Sequence, residues 1–177
     1  NEGVTSSSKT LIQVNGGSFT LTGGTLENTA SSGYALFANS GSDVTISGGT
    51  VLNVASSGKA LHVNGSGTKA TVNGGTVENT AEGAEAVYVN NGTFSLESGT
   101  VKTSATYSSK AAIYVNNSAE SVVISGGTIE SATMGIYAAF TPVSVTGGVI
   151  DTAGYAFQTR NTTIDPAEGS SVTVNSG

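Results

Sequence analysis

Cysteine and tryptophan are absent from this 177-residue chain, and proline occurs only twice. Without cysteine there is no disulfide framework and no thiolate metal site. Charge is also scarce. Only 10% of residues are Asp, Glu, Lys or Arg, against about 25% in ordinary soluble domains. The six basic residues are scattered singly in a chain of net charge −6, so no basic stripe points to a nucleic acid. No apolar run approaches the ~18 residues of a membrane span, and no membrane insertion is expected. One histidine (His62) and three well-separated aspartates (Asp43, Asp151, Asp165) leave little for acid–base or metal chemistry. No catalytic residue, metal or cofactor is expected.

Glycine, serine, threonine and asparagine fill the space instead. That composition could suit a disordered linker, but the apolar residues recur too regularly. The phrase Thr22-Gly23-Gly24-Thr25-Leu26 returns as Ser47-Gly48-Gly49-Thr50-Val51 and Asn73-Gly74-Gly75-Thr76-Val77. Further copies are Glu97-Ser98-Gly99-Thr100-Val101, Ser125-Gly126-Gly127-Thr128-Ile129 and Thr146-Gly147-Gly148-Val149-Ile150. The second glycines are spaced 25, 26, 24, 28 and 21 residues apart. A repeat of this length signals a stacked, quasi-one-dimensional architecture.

Each repeat carries three short stretches of period two, the signature of strands with one buried face. The first precedes the glycines, as in Phe19-Thr20-Leu21, Val44-Thr45-Ile46 and Ala70-Thr71-Val72; Val172-Thr173-Val174 reads as its last copy. The second follows them, as in Thr50-Val51-Leu52-Asn53, with only the Leu/Val/Ile position expected inward. The glycines supply the positive φ of a sharp corner. An alanine soon after (Ala30, Ala55, Ala81, Ala105, Ala132, Ala153) is expected to fill that corner. The third stretch is Ala35-Leu36-Phe37-Ala38-Asn39, repeated through Ala60–Asn64, Ala86–Asn90 and Ala112–Asn116.

Three strands per ~25 residues predict an all-β, right-handed, single-stranded parallel β-helix (β-solenoid) of six to seven rungs. Left-handed β-helices turn in about 18 residues on a hexapeptide motif that is missing here. At ~4.8 Å per rung the rod is on the order of 30 Å long. One domain is expected over 1–177, with 1–10 as a lead-in and 159–171 as an irregular loop or end structure. Extra residues near 106–110 and 118–121 interrupt the rhythm. Asn1-Glu2-Gly3 is not a translation start, so the chain is expected to be a segment of a longer protein.

Stacking turns equivalent positions into ladders. One runs Gln13, Phe37, His62, Tyr88, Tyr114, Tyr137 and Gln158. Phe37, His62, Tyr88, Tyr114 and Tyr137 are the candidate ligand-binding residues, either a flat aromatic platform or a stack that only stiffens the rod. A threonine-rich row (Thr20, Thr45, Thr71, Ser95) is similar to ice-binding faces but is broken by Glu97 and Val123. Glu130 and Asp151 fall on adjacent rungs, beside Lys102, and read as a solvated face. The column Asn39, Asn64, Asn90 and Asn116 reads as a corner ladder of amides.

The repeats resemble the right-handed parallel β-helix, or pectate-lyase-like, superfamily. In style they are most similar to bacterial surface adhesins and autotransporter-type passenger domains. The enzymes of that superfamily imply acidic calcium clusters with a basic residue, or Asn-Thr-Asp and His-Gly motifs, and neither set is present. The resemblance therefore implies a non-enzymatic, extracellular module of a bacterial cell-surface adhesin or structural stalk. Its partner would be a host or neighbouring-cell surface protein or a glycan. The alternatives left open are a carbohydrate-binding module, a fibre subunit that associates end to end, an ice-binding protein, and a fragment of a polysaccharide lyase-like enzyme.

Overall fold

Glycine pairs and alternating apolar residues leave the chain one economical way to bury its side chains, which is to coil. The computed structural model describes residues 9–160 and the backbone of 164–176. Among these it contains thirteen strands and no helix. They are β1 (Thr10–Asn15), β2 (Ser18–Asn28), β3 (Tyr34–Asn39), β4 (Asp43–Asn53), β5 (Lys59–Val63), β6 (Lys69–Asn79) and β7 (Val87–Thr103). Then follow β8 (Ile113–Ile124), β9 (Thr128–Ser131), β10 (Met134–Ala139), β11 (Val143–Thr152), β12 (Tyr155–Arg160) and β13 (Ile164–Ser176). Every pairing among them is parallel, and they wind as a β-solenoid of about six turns.

Most strands run through the glycine corners, the exception being Gly126-Gly127, where β8 ends and β9 begins. Thus β2, β4 and β6 each carry the first and second stretches of a rung, and β7 carries all three. The second glycine of every pair has positive φ, from Gly75 at 68° to Gly148 at 105°. The first glycine answers to crowding. A Cβ on Gly74 would lie 2.4 Å from the Ser47 carbonyl oxygen, and one on Gly126 would lie 2.2 Å from that of Glu97. In the copy Glu97-Ser98-Gly99 a serine fills this place, and its Oγ donates to the Asn73 carbonyl at 2.5 Å.

Inside, one column of large apolar side chains from each stretch packs rung on rung. Leu36, Leu61, Val87, Ile113 and Ile136 form one, and Val51, Val77, Val101, Ile129 and Ile150 another, all buried. Each contributes about 1.5–3 kcal/mol by leaving water.

Three expectations are corrected here. In the second stretch two positions point inward, because the alternation continues past the apolar residue. Asn28, Asn53, Asn79, Thr103, Ser131 and Thr152 are all buried. Among the corner alanines only Ala55 and Ala105 are buried; Ala132 and Ala153 are exposed, because the corner turns them outward. Finally, Val172-Thr173-Val174 pairs with Gly148-Val149-Ile150, so it belongs to the second stretch. The first is Ile164-Asp165-Pro166, opposite Val143-Ser144-Val145. Much of 159–171, expected as an irregular loop or end structure, is strand. Residues 167–170 stand opposite Thr146 alone, a local insertion in an otherwise continued ladder. Most of the lead-in, residues 1–8, lies outside the described residues.

Candidate functional site: an aromatic strip and its flanks

The third stretch places its outward residue at the same height in every rung. Pairing runs Gln13 to Phe37, Phe37 to His62, His62 to Tyr88, Tyr88 to Tyr114, Tyr114 to Tyr137 and Tyr137 to Gln158. The five candidate residues thus form one continuous, half-buried column.

Its two halves differ. Tyr88 and Tyr114 stack with centroids 5.0 Å apart and planes 7° apart; Tyr114 and Tyr137 follow at 4.8 Å and 22°. Near-parallel rings at this separation cannot lie side by side in one plane, since their edge atoms would overlap. They therefore lie in successive planes, one ring behind the next. The expected flat platform is revised accordingly. Tyr114 has a ring on both faces, whereas among the described residues Tyr137 has one only on the Tyr114 side.

In the other half, His62 is wedged between Phe37 (4.9 Å, 33°), Tyr34 (4.6 Å, 73°) and Tyr88, which it meets edge-on at 5.2 Å and 89°. Both imidazole nitrogens are buried without a hydrogen-bond partner. Burial, helped by the Lys59 charge, lowers the His62 pKa to about 4, so the ring is neutral near pH 7. A neutral histidine with no hydrogen-bonded orienting group serves here as a ring.

A charged cluster flanks the strip. Glu85 is 3% exposed, with Lys59 Nζ 2.9 Å from Oε2 and Lys110 Nζ donating to Oε1 at 3.0 Å. The Lys59 contact is an ion pair lying off the axis of an aligned hydrogen bond. Burial pushes the Glu85 carboxyl up, but the Lys59 ammonium against Oε2, the Lys110 bond and a backbone bond outweigh it and hold it below the usual value. Lys59 also lies over the Tyr88 ring, 5.7 Å from its centroid. Burial raises the pKa of Tyr88 and Tyr114, with neighbouring tyrosines and Glu85 adding to it and Arg160 opposing it at Tyr114, which keeps both phenols protonated. Sequence reasoning did not single out these three charged residues. The signal was there: Lys59, Glu85 and Lys110 each stand just ahead of an aromatic-bearing stretch.

The remaining ladders are polar. Outside, Asn116, Asn90, Asn64 and Asn39 each donate from Nδ2 to the asparagine one rung back, at 2.5, 2.8, 3.3 and 3.4 Å, ending on Asn15. Inside, Asn28 Nδ2 donates to Asn53 Oδ1 (2.6 Å) and Asn53 Nδ2 to Asn79 Oδ1 (3.2 Å). Asn79 Nδ2 then caps the column by donating to the Glu85 carbonyl at 2.7 Å. Glu130 and Asp151 are register neighbours, and Lys102 reaches Glu130 at 3.7 Å and Glu78 at 4.0 Å. Among the described residues no group of three or more His, Cys, Asp or Glu could hold a metal ion.

Fold and strip together define the class: a parallel β-solenoid with one aromatic column on its outside. No family model, curated protein or solved structure matches the chain.

Proposed function

We propose that this β-solenoid is a non-enzymatic, extracellular module of a bacterial cell-surface adhesin or stalk, a stiff rod that displays its aromatic strip to a partner on another cell. The observation that carries this reading is the rung-to-rung alignment of the ladders, which re-forms after each local register shift. Apolar, amide and aromatic columns all stack rung on rung, so bending the rod would break many contacts at once. Sparse charge suits contact by shape and stacking, with little long-range steering.

The test is adhesion of the whole chain, immobilised and offered a glycan array and the surface proteins of host and neighbouring cells. It is run beside a Tyr88→Ala/Tyr114→Ala/Tyr137→Ala variant shown by circular dichroism to stay folded. Retention that disappears in the variant supports a recognition module. Retention of nothing by the unaltered chain removes the recognition half and leaves a spacer stiffened by its rings.

A further inference from the structure

The strip is not uniform along its length, and one place on it is built differently. Beside Tyr114, Tyr137 and Gln158 the extra residues of the corner at 106–110 rise as a wall. Ser108 and Ser109 on that wall and the three ladder residues opposite enclose a cleft of about 380 Å³. This lies at the lower end of the ~300–1,000 Å³ range of small-molecule sites. Among the described residues Tyr137 has a ring partner only in Tyr114, and its neighbour on the next rung is Gln158, so the cleft falls where the stack of rings ends.

The chemistry of the lining is specific. Among the described residues no charged side chain lines it. Its polar groups are two phenol hydroxyls, one carboxamide and two serine hydroxyls, and each of these side chains can both donate and accept. Its apolar surface is aromatic. Neutral groups that donate and accept, set beside an aromatic ring, match a molecule with many hydroxyls and one C–H face. The charges that reach Tyr114, Glu85 and Arg160, are of opposite sign, so they favour no one sign of ionic ligand. Strand addition by a peptide is blocked at the centre of the cleft, since β10 is already paired to β8 on one side and β12 on the other.

We infer that the cleft formed by Tyr114, Tyr137, Gln158, Ser108 and Ser109 is a binding subsite for a neutral pyranoside, one or two sugar units in size. The sugar stacks its C–H face near Tyr137 and shares hydrogen bonds with Gln158 and the two serines. This rests on the recognition half of the reading above and narrows it to one end of the strip. Phe37, His62 and Tyr88 then belong to the rod's support, with no contact to the sugar.

The experiment is a two-dimensional NMR titration of the whole chain with methyl glycosides of neutral hexoses and N-acetylhexosamines, their neutral disaccharides, and a uronic acid. The expected result is saturable shifts clustered at 108–114, 137 and 158 with a neutral glycoside. Affinity should fall by about tenfold or more in Tyr137→Ala, as loss of a stacking ring implies. It should be unchanged in Glu27→Ala, an exposed residue of β2 outside the strip and the cleft. Ser109→Trp, which fills the cleft, and Gln158→Ala change only exposed side chains; they should abolish and weaken binding even if Tyr137→Ala fails to fold. Three outcomes overturn the inference: no saturable shift with any neutral glycoside, full binding by Ser109→Trp, or tighter binding of the uronic acid. If adhesion of the whole chain persists in any of these cases, the recognition reading stands and only the placing of the sugar fails.

Discussion

At the scale of single residues, the corner glycines separate two costs that usually arrive together. Gly24 and Gly75 both have positive φ, 80° and 68°. A Cβ at Gly24 meets nothing within 4 Å, whereas one at Gly75 lies 2.6 Å from the Gly49 carbonyl oxygen. Gly24→Ala should therefore cost only the left-handed backbone penalty, about 1 kcal/mol. Gly75→Ala adds a clash with backbone that has no room to retreat, for a total of about 3 kcal/mol. Urea midpoints of the two variants would compare them, and equal shifts would show that rung contact at the corner is softer than the geometry states. His62 supplies a second prediction. Its pKa in the folded chain is about 4, against an ordinary 6.5. Between those values the unfolded chain takes up a proton that the folded chain refuses. Stability should thus fall on acidification through that window, by about 3 kcal/mol in all. Glu85, held below its ordinary 4.5, adds its own loss once the pH falls below that value. His62→Phe keeps a ring in the column and removes both unpartnered nitrogens, so its stability should stay level from pH 6.5 to 4.5. A variant that declines as steeply as the parent would place the proton uptake elsewhere.

At the scale of elements, rungs are tied by polar columns as well as by apolar packing. Replacing Asn53 by Leu would leave Asn28 Nδ2 and Asn79 Oδ1 without their rung-to-rung partners in a buried column. A cost of about 2–3 kcal/mol is expected. Asn64→Ala, in the outer column, opens groups that water can reach and should cost under ~1 kcal/mol. Thermal melts of the pair would rank them, and the reverse order would mean that the inner column carries no stability. Such columns also show what could be read in advance. The aromatic and outer asparagine ladders were legible because each occupies a fixed offset from an apolar residue, and fixed offsets survive stacking. Asn28, Asn53 and Asn79 misled because asparagine usually marks an outward position, and only the neighbouring rung's amide makes its burial tolerable. Val172-Thr173-Val174 was assigned to the wrong stretch because the first and second stretches share one alternation, and no Gly-Gly pair is there to tell them apart. Glu85 with its lysines could not be assembled from spacing, since Lys110 arrives from a corner of a different length. The tilt of the rings follows from side-chain rotation, which the order of residues does not encode.

At the scale of the whole molecule, stability is nearly a sum over neighbouring rungs. Gly49 and Gly75 hold equivalent corners, and Thr50 and Thr76 are register partners. Removing residues 50–75 would join Gly49 to Thr76 in the same environment that Thr50 occupied. The shortened chain should fold with an unchanged β-type circular dichroism band per residue. It should be shorter by one rung, ~4.8 Å, in small-angle scattering. It loses Lys59 from the Glu85 cluster, so its melting point should fall; a chain that does not fold would show that the rungs are not interchangeable. The same equivalence has a bearing on heredity. A gene whose successive 21- to 28-codon blocks encode interchangeable coils tolerates slippage and unequal crossing-over in whole blocks, so the reach of such a rod can be lengthened or cut by one copying error without a new fold having to be found.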